Sequence, residues 1–354
     1  MKTHTVFITG GAGYVGAMLV DQFAQREDIK KIITLDKEPE TDLTRSHAHA
    51  NKIVYIHKNL SDSSWMSEVA AYAPDIVIHT AWQIREIYGN RKLSWEWNII
   101  ASDNVFDFCF TNTFVEKLIY FSTVSSYGAF PENTLEYRYT EGDVFRKSEY
   151  LYAEEKRIAE ERLESAYKDQ IANGGHVPVV SVLRPAAITG PRGRYTRIRF
   201  GLQSALSGNL KGGVYSIVSA LTKIVPATPK WVRQYIHEDD VTDIVKLLAF
   251  DTQVSHGYEV FNICPPGEPV LAPDMAKAVG KKMIVIPPSI VRIAFFFFWH
   301  LTRGKVPTGA GAWRGYSYPI LVDGKKISEQ YGFVYSSPSK EAFVQNEGRY
   351  KVEL

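Results

Sequence analysis

Tyr152 and Lys156 stand four residues apart in Tyr152-Ala-Glu-Glu-Lys156. On a helix that spacing puts a phenol and an ammonium on one face. A neighbouring cation favours the phenolate, which lowers the tyrosine pKa towards working pH and makes it a usable general acid or base. Tyr150 has Glu154 at the same offset, a carboxylate that discourages ionisation, so Tyr152 is the candidate. A second constellation lies at the N-terminus, TVFITGGAGYVG over Thr5–Gly16. Gly11, Gly13 and Gly16 satisfy G-x-G-x-x-G directly after a short apolar run and ahead of a helical face, and Gly10 precedes them. Glycines suit such a turn because a Cβ would block close approach of a pyrophosphate, whose charge the first N–H groups of the helix then meet. Asp36 ends the next apolar run about twenty residues past Gly16, where a carboxylate accepts ribose hydroxyls. Strand, loop, helix, strand and acid together predict a dinucleotide site. A 2′-phosphate would face Asp36, which favours NAD over NADP, with Lys37 as the counterweight.

These groups need a scaffold, and the alternation of elements supplies one. Apolar runs at Val6–Ile8, Lys31–Asp36, Lys52–His57, Asp75–His79, Leu118–Ser122 and Val179–Leu183 read as strands. Helical patterns fall between them, over Trp65–Tyr72, Asn98–Phe110 and Ser148–Tyr167, the last with Glu and Lys/Arg along an exposed face. Such alternation predicts an α/β fold, a doubly wound parallel sheet. Ligands sit beyond the carboxyl ends of such strands, so Gly10, Asp36, Asn59, Asp62 and His79–Ala81 are expected to converge. After Pro185 the alternation weakens; Gly190–Pro229 reads as loops and short helices over the crevice. Tyr235–His237, a helix over Val241–Phe250 and a strand over Tyr258–Ile263 read as a return to the sheet.

At 354 residues the chain can bury a substantial core. A net charge of +2 without a long basic run excludes nucleic acid as a partner. Cys109 and Cys264, the two cysteines, lie far apart, which fits a reducing, cytoplasmic setting and neither a disulfide framework nor a zinc ribbon. His47 and His49 lack further ligands at suitable spacing and read as solvated surface histidines, so no metal is expected. Ser289–Thr302, SIVRIAFFFFWHLT, is too short to span a bilayer. The preferred reading is a buried or half-buried helix; the alternative is an interfacial segment with Arg303 and Lys305 at headgroup level.

The chain resembles the extended short-chain dehydrogenases/reductases of the NAD-dependent epimerase/dehydratase group. TGGAGYVG, Asp36, DIVIHTA (Asp75–Ala81), YFSTVSSYG (Tyr120–Gly128), YAEEK, LRPAAITGP (Leu183–Pro191) and RQYIHEDDV (Arg233–Val241) occur in family order over most of the chain. The resemblance implies a Rossmann-type fold with a smaller, partly interleaved C-terminal lobe. Residues 1–185, with a return over about 233–263, would bind NAD; 186–232 and 264–354 would bind substrate. It implies a catalytic set of Thr123, whose hydroxyl bonds the substrate oxygen, Tyr152, which moves the proton, and Lys156, which holds the nicotinamide ribose and keeps the tyrosine pKa low. The cofactor set is Gly10, Gly13, Tyr14, Val15, Gly16, Asp36, Asn59, Leu60, Asp62, His79, Thr80, Ala81, Asn98, Tyr152, Lys156 and Pro185. Trp82, Ser125, Arg192 and Arg233 are candidate substrate contacts.

Departures narrow the activity. Nucleotide-sugar dehydratases usually carry Asp-Glu after the active-site Thr, whereas Val124 and Ser125 follow Thr123 here, which argues against water elimination. Galactose-type epimerases often have Asn where Ala187 stands. Arg233 matches their diphosphate arginine, or else pairs at a strand start with Glu238 or Asp239. The favoured function is hydride transfer at a secondary alcohol or ketone carbon, epimerase-like on a sugar nucleotide. The alternative is a steroid-dehydrogenase-like enzyme of a hydrophobic alcohol, with Trp82, Tyr88, Trp95, Trp97 and Phe295–Trp299 lining its cavity; a non-catalytic cofactor sensor is the remote one. Relatives dimerise, so the resemblance also implies a homodimer.

Overall fold

Six of the apolar runs become parallel neighbours in one sheet. β1 (His4–Thr9), β2 (Ile29–Asp36), β3 (Ile53–His57), β4 (Ile76–His79), β5 (Lys117–Phe121) and β6 (Val179–Pro185) are joined by the later strand Tyr258–Ile263 in the order Tyr258–Ile263, β6, β5, β4, β1, β2, β3. Every pairing from β3 to β6 is parallel, and in register Thr9 lies opposite both Leu35 and His79. The order reverses beside β1, the switch point at which such sheets open a crevice. This computed structural model describes residues 2–192, 223–254, 257–278, 280–345 and 347–350. Most of the Gly190–Pro229 stretch, including Arg194, lies outside the described residues.

The chain forms two compact units. The first comprises Met1–Ser122, Glu155–Leu183 and Thr242–Phe261. Its β-strands carry runs such as Val6–Phe7–Ile8 and Val77–Ile78 that are fully buried, as expected when both faces of a parallel sheet are covered. One face is filled by aromatic rings from the crossover segments: Phe7 lies 5.4 Å from Trp65 and 6.0 Å from Phe108, centroid to centroid. Helix α1 (Tyr14–Ala24) buries Ala17, Leu19, Val20 and Phe23. The segment expected as a helix over Trp65–Tyr72 is shorter, a 3-10 turn at Ser63–Trp65 followed by Met66–Ala70; Ala73 at φ +46° and Pro74 end it. Ahead of α2 (Ala101–Thr111), Glu96–Ile100 forms a π-turn, which re-aims Asn98. Helix α3 runs Leu151–Ala172, and α4 runs Glu238–Phe250 with Glu238, Asp239 and Asp240 at its positive end.

The second unit comprises Thr123–Glu154, Arg184–Val241 and Asn262–Leu354. Its strands pair two by two: Ala187–Thr189 with Tyr235–His237, and Ile224–Ala227 with Lys282–Val285, both parallel, and Val232–Arg233 with Val270–Leu271, antiparallel. Tyr235–His237 therefore does not return to the large sheet; only Tyr258–Ile263 does. Val225, Trp231, Tyr235, Val270 and Met275 form a core of this unit. Helix α5 (Pro288–Leu301) starts at a proline, whose missing N–H costs nothing there.

Candidate functional site

In the first unit, β1 ends at Thr9 and the chain turns at Gly10 with φ +79°. A Cβ on Gly10 would lie 2.8 Å from the Ala81 nitrogen, and one on Gly16 only 2.1 Å from the Gly10 carbonyl oxygen. The loop therefore closes on itself, and Gly13 N–H donates to Gly10 O at 2.8 Å. Gly13 is the N-cap of α1, no side chain caps it, and no acid stands in its first turn. Tyr14, Val15 and Gly16 thus begin a helix whose positive end no side chain neutralises, an arrangement that can receive an anion. Asp36 accepts hydrogen bonds from the N–H of Ala12 and of Glu38, both at 3.0 Å, which pins the carboxylate across the glycine turn. The Lys37 ammonium is held by Glu38 at 2.9 Å and lies 4.1 Å over the Trp97 ring. Thr80 Oγ1 donates to Thr9 O at 2.6 Å, and Ala81 N–H reaches Thr9 Oγ1 at 3.2 Å, so the ends of β1 and β4 are tied.

Other strand-end candidates are committed internally. The His79 ring is buried, with Nδ1 at 2.7 Å from Thr9 Oγ1 and Nε2 at 2.9 Å from Ser102 Oγ. Burial, helped by Lys156, pulls its pKa down to about 3, so the ring is a neutral tie within the core. Asp62 is exposed and its carboxylate caps the 3-10 turn through Ser64 N–H at 2.9 Å. Asn59 Oδ1 accepts from Ser61 N–H at 3.1 Å, and the Leu60 carbonyl takes Trp65 Nε1 and Asn104 Nδ2 at 3.1 and 2.9 Å. His47, read as solvated, has a side chain 7% exposed and lies 3.3 Å from Asp21, because the carboxylate offers its ring a partner at the surface of α1.

Lys156 is buried, donates to the Phe121 carbonyl, and lies 3.7 Å over the Trp82 ring and 4.9 Å over that of Tyr120. Burial pulls its pKa well down while Glu160 pulls it up, and the two ring faces and the carbonyl are acceptors suited to a cation. A polar circuit braces this seat. Asn98 Oδ1 accepts from Gln83 N–H at 2.7 Å, and its amide donates to Gln83 O at 3.1 Å and to Glu155 Oε2 at 2.6 Å. Glu155 is buried, and burial pushes its pKa up to about 7. Neither Glu155 nor Glu160 lies on the exposed charged face read from the sequence; both are buried. Glu155 is the residue sequence reasoning missed, since alternating charge on a long helix gives no sign of which carboxylate turns inward.

The second unit carries the remaining candidates. Thr123, buried, caps a 3-10 turn over Val124–Tyr127 through Ser125 N–H at 3.2 Å. Tyr127 fixes that turn: its hydroxyl accepts from Arg184 at 2.6 Å and lies 2.9 Å from Asn262 Oδ1. Tyr152 begins α3, one turn before Lys156 on the same helix, its ring 5.8 Å from that of Tyr150. Pro185 ends β6, buried. Arg192 N–H donates to Glu238 at 2.9 Å. The Arg233 guanidinium donates to the carbonyls of Val232 (2.7 Å) and Gly315, with Trp231 5.5 Å from its Cζ; the alternative pairing with Glu238 or Asp239 does not form. Burial lowers its pKa, and no carboxylate among the described residues pairs with it.

Comparison with known proteins bears on the fold and the family. The family model for the NAD dependent epimerase/dehydratase family matches residues 6–264. Two curated relatives are 3 beta-hydroxysteroid dehydrogenase/Delta 5-->4-isomerases, from Monkeypox virus at 22% identity and from Vaccinia virus (strain Copenhagen) at 24%, each over 72% of this chain and 74% of theirs. Among solved structures, a dTDP-glucose 4,6-dehydratase from Bacillus anthracis in complex with NAD superposes with a TM-score of 0.69 at 14% identity, over 97% of this chain and 94% of that one. A UDP-glucose 4-epimerase from Thermus thermophilus, also with NAD, gives 0.65 at 19% identity, over 96% of both. Those likenesses establish the shared fold, and with a model matched from Val6 to Cys264 the chain belongs to the NAD dependent epimerase/dehydratase family.

Proposed function

We propose that this chain is an NAD-dependent oxidoreductase of the extended short-chain type that works at a secondary alcohol or ketone carbon, epimerase-like on a sugar nucleotide. The residues present fit the cofactor. The glycine turn has no room for side chains, the end of α1 is uncapped, and two buried polar atoms on residues beside Lys156, Trp82 Nε1 and Ser122 Oγ, have no partner among the described residues. Gly10, Gly13, Tyr14, Val15 and Gly16 would hold the pyrophosphate and Asp36 the adenosine ribose, in the unit built on the large sheet. Lys37 is already balanced by Glu38, so a 2′-phosphate would meet uncompensated negative charge; this supports NAD over NADP.

Bound NAD supplies reversible hydride exchange at its nicotinamide. The chain's own residues do the rest. Tyr152 would move the substrate hydroxyl proton, Thr123 would hydrogen-bond the same oxygen, and Lys156 would orient the nicotinamide ribose and favour the phenolate. Trp82 in the first unit and Ser125, Arg192 and Arg233 in the second are the proposed substrate contacts. The observation that carries the sugar-nucleotide reading is Arg233, a guanidinium held by backbone carbonyls and left without a carboxylate, which suits a diphosphate. A second reading, oxidation or reduction of a hydrophobic alcohol, is favoured by the names of the curated relatives. A cytoplasmic homodimer completes the proposal.

Denaturing the purified protein and identifying the released small molecules by mass spectrometry separates the readings. Retained NAD(H) near one per chain, with a sugar nucleotide, is the epimerase result. An empty protein that binds NAD reversibly and turns over hydrophobic alcohols is the result for the second reading. Tyr152→Phe should abolish turnover in either case while leaving NAD binding nearly intact.

A further inference from the structure

Helix α5 is apolar almost all round, yet only one side of it is covered. Val291 and Trp299 are buried, and Phe295 lies 5.7 Å from Tyr316. On the other side Ile290, Ile293, Phe297 and Leu301, at helical spacing, are 50, 57, 55 and 79% exposed, with Phe296 beside them at 59%. The strand just before the helix adds exposed Ile284 and Val285. A contiguous patch of large apolar side chains of this kind marks a surface that meets something other than water.

The charge around the patch says what. Between Asp274 and Asp323 the chain has no Asp or Glu and seven Lys and Arg. The whole chain carries only +2, so the rest of it is net acidic and the positive charge is concentrated here. Lys282, Arg292, Arg303 and Lys305 are exposed around the helix. A second copy docked on the same patch would bring these cations against their own equivalents, a like-charge contact. An anionic lipid surface offers both complements, acyl chains for the phenylalanines and headgroups for the cations. The helix is about 21 Å long at 1.5 Å per residue, short of the ~30 Å hydrocarbon core. No helix among the described residues is long and apolar enough to cross a membrane.

We infer that α5, with the strand that precedes it, docks in the plane of an anionic membrane surface, with Ile293, Phe297 and Leu301 in the acyl boundary and Arg303 and Lys305 among the headgroups. The docking surface is independent of the catalytic reading and is tested without activity. The full chain is co-sedimented with phosphatidylcholine vesicles, with and without about one-third phosphatidylserine. Binding to the anionic vesicles, weakened by salt, is expected. Phe297→Ser with Leu301→Ser should weaken it roughly tenfold or more. Arg303→Gln with Lys305→Gln should remove the preference for phosphatidylserine. All four side chains are exposed, so the variants should melt as the parent does. A parent protein that stays in the supernatant at low salt overturns the inference. So does an oligomer, seen by light scattering, that the Phe297 and Leu301 substitutions dissolve while vesicle binding is absent.

Discussion

Glu155 is the residue whose placement says most about how the Lys156 seat is held. It is adjacent to Lys156 in sequence, yet it points into the core and takes the Asn98 amide, which clamps both backbone groups of Gln83 next to Trp82. Trp82 in turn lies beneath the Lys156 ammonium. Glu155 is therefore a positioning residue rather than a catalytic one. Its folded pKa, about 7, is raised above the usual carboxylate value by burial. The stability associated with the neutral acid is fully present below the unfolded value near 4.5 and is lost as pH rises through 7. Glu155→Gln keeps the shape and an acceptor for Asn98 while removing the ionisation. Denaturant titrations of both proteins at pH 6 and pH 9 should show the variant gaining on the parent by about 1.4 kcal/mol at the higher pH. Equal pH slopes would mean that Glu155 is ionised in the fold without cost. None of this was legible in the sequence, where Glu154 and Glu155 look alike; the π-turn that carries Asn98, the partner of Glu155, leaves no periodic signature.

At the scale of the element, the glycine turn and α1 were legible because several weak signals coincided there: an apolar run, three spaced glycines, a helical face and an acid at the end of the following strand. The structure adds why Gly16 is required, which is not only for a ligand. Its missing Cβ would sit 2.1 Å from the Gly10 carbonyl oxygen, a backbone atom that cannot swing aside. Gly16→Ala should push the helix off the turn, lower stability by about 1–3 kcal/mol as overpacking does, and abolish NAD binding measured by calorimetry. Normal NAD affinity in the variant would show that the turn opens without consequence. The Ser289–Thr302 segment shows the opposite case. Its composition was legible as a helix, and the helix forms, but hydropathy alone does not say how many sides of a helix are covered. The helix is half-buried: Val291 and Trp299 are covered, and the face bearing Ile293, Phe297 and Leu301 is exposed.

At the scale of the molecule, the two units divide the chemistry in a way that composition hides. The sheet order and the nucleotide cradle belong to the first unit and follow from local patterns, which is why they could be read in advance. The second unit is assembled from three separate stretches with two-stranded pairings, and contacts so distant in sequence, such as Tyr127 with Asn262, carry no local signal. The division also makes the two proposed binding surfaces separable. A ligand that binds only the folded chain stabilises it by mass action, about 2.7 kcal/mol at a hundredfold excess over Kd. NAD should therefore raise the melting temperature of the parent protein more than NADP does. In Asp36→Ala the NAD shift should largely disappear while binding to anionic vesicles is unchanged. In the Phe297→Ser, Leu301→Ser protein the pattern should invert, with vesicle binding lost and the NAD shift retained. A larger shift with NADP would mean that Lys37 outweighs Asp36 despite its contact with Glu38. Loss of vesicle binding in Asp36→Ala would mean that the lipid surface depends on the nucleotide cradle, and that the two units do not act independently.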